Sequence, residues 1–183
     1  MGNTIKYGLK NVHYAVITNK DGVITYGKTV EIPGAVNLSV TPKGDKTEFY
    51  ADDVAYFVAS SNQGYEGNLE VAIVPDSFKK EVLGWTADAS GALFENANIL
   101  SKNIALLFEF DGDVNAVRHI LYNVSVARPA IESSTQGASI EVKTESFDIT
   151  ASPRLDGFVK AKAEPADTSY AKWFEAVHEY TAI

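Results

Sequence analysis

The chain has 183 residues, 45% of them hydrophobic and 11% aromatic, and it is acidic, with 24 Asp and Glu against 16 Lys and Arg for a formal charge of −8. This composition fits one globular domain with a real core and excludes a disordered chain. The complete lack of cysteine excludes disulfides, thiolate metal sites and thiol nucleophiles, and the net negative field disfavours gripping nucleic acid.

No apolar run approaches the roughly 20 residues needed to span a bilayer. The N-terminal stretch lacks the apolar core of a secretory signal. The expectation is a chain made in the cytoplasm with no membrane partner.

Strand signals dominate along the chain. Val12 to Thr18 and Val23 to Tyr26 flank Asn19-Lys20-Asp21-Gly22, whose Asp-Gly pair predicts a tight hairpin. Ala35 to Thr41 alternates Val36, Leu38 and Val40, then stops at Thr41-Pro42-Lys43-Gly44. Short strands follow at Thr47 to Ala51 and Val54 to Ser60 around Asp52-Asp53. A turn at Ser61 to Gly64 leads into a longer strand, Tyr65 to Val74. Asp76 after Pro75 can start a helix whose Phe78, Val82 and Leu83 share one face and whose stop is Gly84.

Asn103 to Arg128 reads as one long hairpin. Its first arm alternates Ile104, Leu106, Phe108 and Phe110 with Ala105, Leu107, Glu109 and Asp111, the period of a strand buried on one side. The reversal is assigned to Asp111 to Asn115. Glu132 to Gly137 reads as a loop, Ala138 to Ala151 as a strand, and Phe158 to Ala163 as a last short strand. A C-terminal helix is predicted over 167–179, with Tyr170, Trp173, Phe174 and Val177 recurring at helical spacing as a docking face. The predicted fold is mostly antiparallel β, a sandwich or barrel with one or two flanking helices, in a single domain spanning 1–183.

The sequence offers no catalytic constellation. His13, His119 and His178 have no second ligand at metal spacing, and the hydrolase, zinc-protease, phosphate-loop and dinucleotide motifs are missing. Asp111-Gly112-Asp113 starts like a calcium loop but puts Ala116 where glycine is needed and Tyr122 where the bidentate glutamate belongs. Glu66 with Glu70, and Glu141 with Glu145, lie four apart on strands, about 13 Å, beyond the span of a glycosidase acid pair. They read as a solvated acidic face or as the lining of a lumen. The expectation is a non-enzyme with no cofactor and no metal.

Four blocks carry a family resemblance: YGLKNVHYA (Tyr7 to Ala15), VPDSFKKEVLG (Val74 to Gly84), ALLFEFDGD with RHILYNVSVARP (Ala105 to Pro129), and FDITASPRLDGFVKAKA (Phe147 to Ala163). In this order and spacing the chain resembles the major tail protein family of long-tailed phages of Gram-positive hosts. The resemblance implies a structural virion protein, a β-sandwich tail tube subunit. Six copies would close a ring, and rings would stack into a hollow tube that passes phage DNA on ejection. It also implies assembly in the host cytoplasm, a final place in the virion tail, and tape-measure, tail terminator and distal tail proteins as partners. It carries over no catalytic residue.

Under that reading a lumen must let a polyanion slide, so acidic faces are favoured as its wall. Glu66, Glu70, Glu109, Glu141 and Glu145 are the candidate lumen acids. Ring stacking is assigned to residues 41–53, with Pro42, Lys43, Phe49, Tyr50 and Asp52 as contacts, and the N-terminal arm 1–9 is a second candidate. The alternative from another class is a soluble β-sandwich binding module for carbohydrate or a host surface, which would stay monomeric.

Overall fold

The computed structural model describes residues 8–51, 53–110, 116–131 and 143–182. In chain order the strands are β1 (Leu9–Lys20), β2 (Val23–Tyr26), β3 (Val30–Glu31), β4 (Ala35–Lys43), β5 (Lys46–Ala51), β6 (Val54–Ser60) and β7 (Gly64–Val71). After helix α1 (Asp76–Glu81) come β8 (Thr86–Ala87), β9 (Leu93–Phe94), β10 (Ile104–Phe110), β11 (Arg118–Val126), β12 (Glu145–Ala151) and β13 (Lys160–Ala163). Among the described residues the fold is mostly antiparallel β with one small α-helix, as the alternation of apolar and polar residues implies. The turn assigned to Asp111–Asn115, the loop assigned to 132–137 and most of the N-terminal arm lie outside the described residues.

One sheet runs β2-β1-β10-β11-β12-β7-β4, with β3 added to β1 and β13 to the first half of β11. It curls until parts of β4 come within 8 Å of β1, Cα to Cα. The Asp-Gly pair makes the β1–β2 turn, both residues at positive φ. Inside the curl sit Val12, Tyr14, Leu69, Val71, Leu106 and Phe147, among others. The helix closes one end of this core. Phe78 stacks on Phe147 at 5.4 Å and meets Tyr14 edge-on at 5.0 Å. The Tyr14 hydroxyl donates to Glu81 at 3.1 Å, and desolvation pushes its pKa up to about 12.

Two expectations are corrected. The first arm of the long hairpin is buried on both sides: Ala105, Leu107 and Glu109 are as enclosed as Leu106 and Phe108. The cause is the C-terminal segment, which covers the outer face of β10 and β11. There Trp173, 1% exposed, packs with Ala15, Ala105, Leu107, Ile120 and Tyr122, and Tyr170, Phe174 and Val177 seal the margin. The predicted docking stripe thus faces this chain's own sheet.

That segment is not the predicted helix. It makes a chain of i to i−3 turns, of which only Tyr170–Lys172 is a 3₁₀ helix. Side chains of β11 and of the loop before β3 take carbonyls of this segment. Arg118 Nη1 donates to Tyr170 O at 2.5 Å, Thr29 Oγ1 to Phe174 O at 2.7 Å, and Tyr122 Oη to His178 O at 2.7 Å. The Arg118 guanidinium also lies over the Tyr170 ring at 3.9 Å. Helical spacing of the apolar residues survives because tight turns repeat them at a similar period. Truncating the anchor, Trp173→Ala, is expected to cost about 3–5 kcal/mol, read as a lower midpoint in denaturant unfolding.

Candidate assembly surfaces

The first surface is a projecting hairpin. Among the described residues, strands β5 and β6 pair only with each other, from Lys46 opposite Ser60 to Ala51 opposite Val54, and form a sheet of their own. An isolated two-stranded ribbon is marginal in water. This one also exposes Phe49, Tyr50, Val54, Tyr56, Phe57 and Val58, with Tyr56 at 79%. Phe49 faces Phe57 across the strands, while Glu48 and Val58 form the adjacent pair on the opposite side. Both faces of the ribbon are therefore partly apolar.

A hydrogen-bonded neck joins the hairpin to the main sheet. Ser61 N donates to Asp45 O at 2.9 Å, Gln63 N to Lys43 O at 2.8 Å, and Gln63 Nε2 to Asp45 Oδ2 at 2.7 Å. Two glycines permit the close approach. A Cβ at Gly44 would sit 2.0 Å from Ser61 O, and one at Gly64 would sit 1.8 Å from Ala151 O with φ at +98°. The ribbon thus continues β4 and β7 outward as a projection joined at its base.

The second surface is the outer face of β4, β7 and β12. The register places Asn37, Glu70 and Ser146 in one row, Ser39, Asn68 and Asp148 in the next, and Thr41, Glu66 and Thr150 in a third. Every one of these side chains is polar, and the charged ones are acids. Asn68 Nδ2 donates to Asp148 Oδ1 at 3.3 Å, and the Thr144 hydroxyl donates to Glu70. Lys43 stands at the hairpin end, 3.5 Å from Glu66.

The candidate acids therefore divide. Glu66 and Glu70 share the polar wall. Glu109 is withdrawn from the set: it is buried, 3.0 Å from Arg118 Nε, and accepts from Asn11 Nδ2 at 2.6 Å. Glu145 is withdrawn as well, since it points to the Phe147 side of its strand and its Oε2 accepts from Val74 N at 2.7 Å. Glu141 lies outside the described residues. Of the stacking candidates, Phe49 and Tyr50 are on the projecting ribbon, while Pro42 and Lys43 end β4 below the neck. Asp52 lies outside the described residues. Val54, Tyr56, Phe57 and Val58 lie on a strand the sequence predicts but outside the 41–53 contact stretch, although an apolar run lacking alternation marks them. Asp148 escaped because only the β12–β7 register places it between the two glutamates.

No family model and no curated protein matches the chain. Among solved structures, a chain of the anti-feeding prophage baseplate, seen by cryo-EM with six-fold symmetry applied, aligns over 89% of this chain and 97% of that one. The identity is 8% and the TM-score 0.46. Similarity at that level transfers neither fold nor role.

Closing the neck should be sensitive to one methyl group. Gly64→Ala is expected to cost at least about 2 kcal/mol through collision and backbone strain. Limited proteolysis should then cut within residues 46–60 faster than in the unaltered chain.

Proposed function

We propose that this chain is a structural subunit of a phage tail tube, copies of which join into rings that stack around a channel for DNA. The observation that carries the reading is the β5–β6 ribbon: aromatic on its surface, joined by no third strand among the described residues, and standing outside the core. Such a ribbon gains stability when another molecule covers it. The resemblance of four sequence blocks to phage major tail proteins supports the same role and supplies the expectation of six copies per ring. The tape-measure, terminator and distal tail partners rest on that resemblance.

The polar wall supplies the channel lining in this reading. A passing polyanion meets carboxylates, amides and hydroxyls, with no cationic side chain among the three rows to hold it. The wall also carries no exposed aromatic side chain on which bases could stack.

Two experiments test the proposal. Concentrated chain, alone or with a nucleating tail-tip complex, is expected to give rings or tubes by negative-stain imaging. Replacing residues 46–60 with a short glycine linker should leave a folded protein that sediments as monomer or single rings. Unchanged tubes would remove the hairpin from assembly, and a monomer under every condition that binds glycans would favour the binding-module alternative. In assembled virions, the triple change Glu66→Lys, Glu70→Lys and Asp148→Lys is expected to slow DNA release without blocking tube formation. Release at the normal rate, followed by dye fluorescence after triggering, would reject this wall as the lining.

A further inference from the structure

The projecting ribbon requires an acceptor, and the sheet register indicates where one lies. Strand β7 runs from Gly64, opposite Lys43 at the neck, to Val71, opposite Ala35 and Glu145. These two ends are about 23 Å apart at about 3.3 Å per residue. At the end remote from the ribbon, the sheet exposes a second set of apolar side chains. Val36 lies at the start of β4 and Ile73 just beyond β7. Ile131, 86% exposed, follows Ala130, whose N–H donates to Ser146 O. Leu100, 87% exposed, neighbours Ser101, which bonds Val126 O in the strand leading there.

We infer that this remote rim, formed by Val36, Ile73 and Ile131 with Leu100 beside it, receives the β5–β6 ribbon of a second copy of the chain, head to tail. The inference rests on the proposed assembly role and adds the identity of the receiving surface. Three observations select a second copy as the occupant. The ribbon and the rim are both apolar and sit at opposite ends of the same strands, so one copy's projection meets the next copy's rim by simple translation. Such a heterologous contact propagates, whereas ribbon-to-ribbon pairing would stop at a dimer.

The charges also match. Residues 44–61 hold four carboxylates, Asp45, Glu48, Asp52 and Asp53, against the single Lys46. Helix α1, which starts at the rim, presents exposed Lys80, and exposed Lys102 donates its backbone N–H to Val82 at the end of that helix. Of the acids nearby, Asp76 and Glu95 are paired with Lys79 and Arg128, while Glu81 accepts from the Tyr14 hydroxyl and Glu145 from Val74 N. Length agrees as well. From Lys46 to Ala51 the ribbon reaches about 17 Å, less than the strand length of the copy it would lie along.

The lack of native cysteine makes the test direct. Single-cysteine chains carrying Tyr56→Cys and Ile73→Cys, both at exposed positions, are mixed under assembly conditions and mildly oxidised. Ile131→Cys replaces Ile73→Cys in a parallel arm, and Lys28→Cys provides the background. The expected result is a 56–73 and a 56–131 product exceeding 56–28 by about tenfold, as held neighbours exceed random encounters. Dominant 56–56 product would mean that ribbons pair with each other and would overturn the rim as acceptor. Assembled material with both rim products at background would also overturn it, leaving the assembly role standing. Failure of the unaltered chain to assemble with its nucleating complex would bring down the assembly role and this inference together.

Discussion

The structure depends on burying both faces of the β10–β11 pair. A single curled sheet can enclose its inner face with α1 and the far strands, but its outer face would stay wet. The C-terminal segment covers that face, and it is fixed by Arg118 and Tyr122 of β11 and Thr29 of the loop before β3 donating to its carbonyls. Burial of Trp173 then makes the segment part of the core. Because the pair is enclosed twice, it can serve as the rigid spine from which β12, β7 and β4 extend outward.

This arrangement separates stability from the exposed surfaces. The buried tyrosines Tyr14 and Tyr122, both with pKa values pushed up to about 12 chiefly by desolvation, belong to the two core layers. The polar wall and the projecting ribbon contribute little to either layer. Glu48 illustrates the difference: its carboxyl is held below the usual range by Lys46 and then by Tyr50, on the solvent-facing ribbon, where such contacts are worth little. Substitutions on the wall can therefore alter charge while leaving the fold in place. The ribbon behaves similarly above its neck, but Gly44 and Gly64 tie the neck to the sheet.

Much of this was legible in the residues. Turn chemistry located the β1–β2 hairpin, and alternation located β4, β7 and β10. Phe78, Val82 and Leu83 marked the helix face. What the sequence hid was tertiary. The stripe Tyr170, Trp173, Phe174 and Val177 has helical spacing, yet Arg118, Thr29 and Tyr122 outbid the helix for its carbonyls. Glu109 and Glu145 look like surface acids in an alternating strand, and only three-dimensional pairing reveals Arg118 beside one and the Val74 amide beside the other. The acidic wall likewise needed the register of β12 against β7, which no local pattern encodes.

The outer border of β4 has one more consequence. A bulge interrupts it after Ala35, and Pro42 deletes a donor near its other end. Uninterrupted backbone for a newcomer extends only from Asn37 to Thr41. A strand laid there would find only a brief ladder of backbone partners. The bulge and the proline together blunt this border against runaway fibre growth of a β-rich chain.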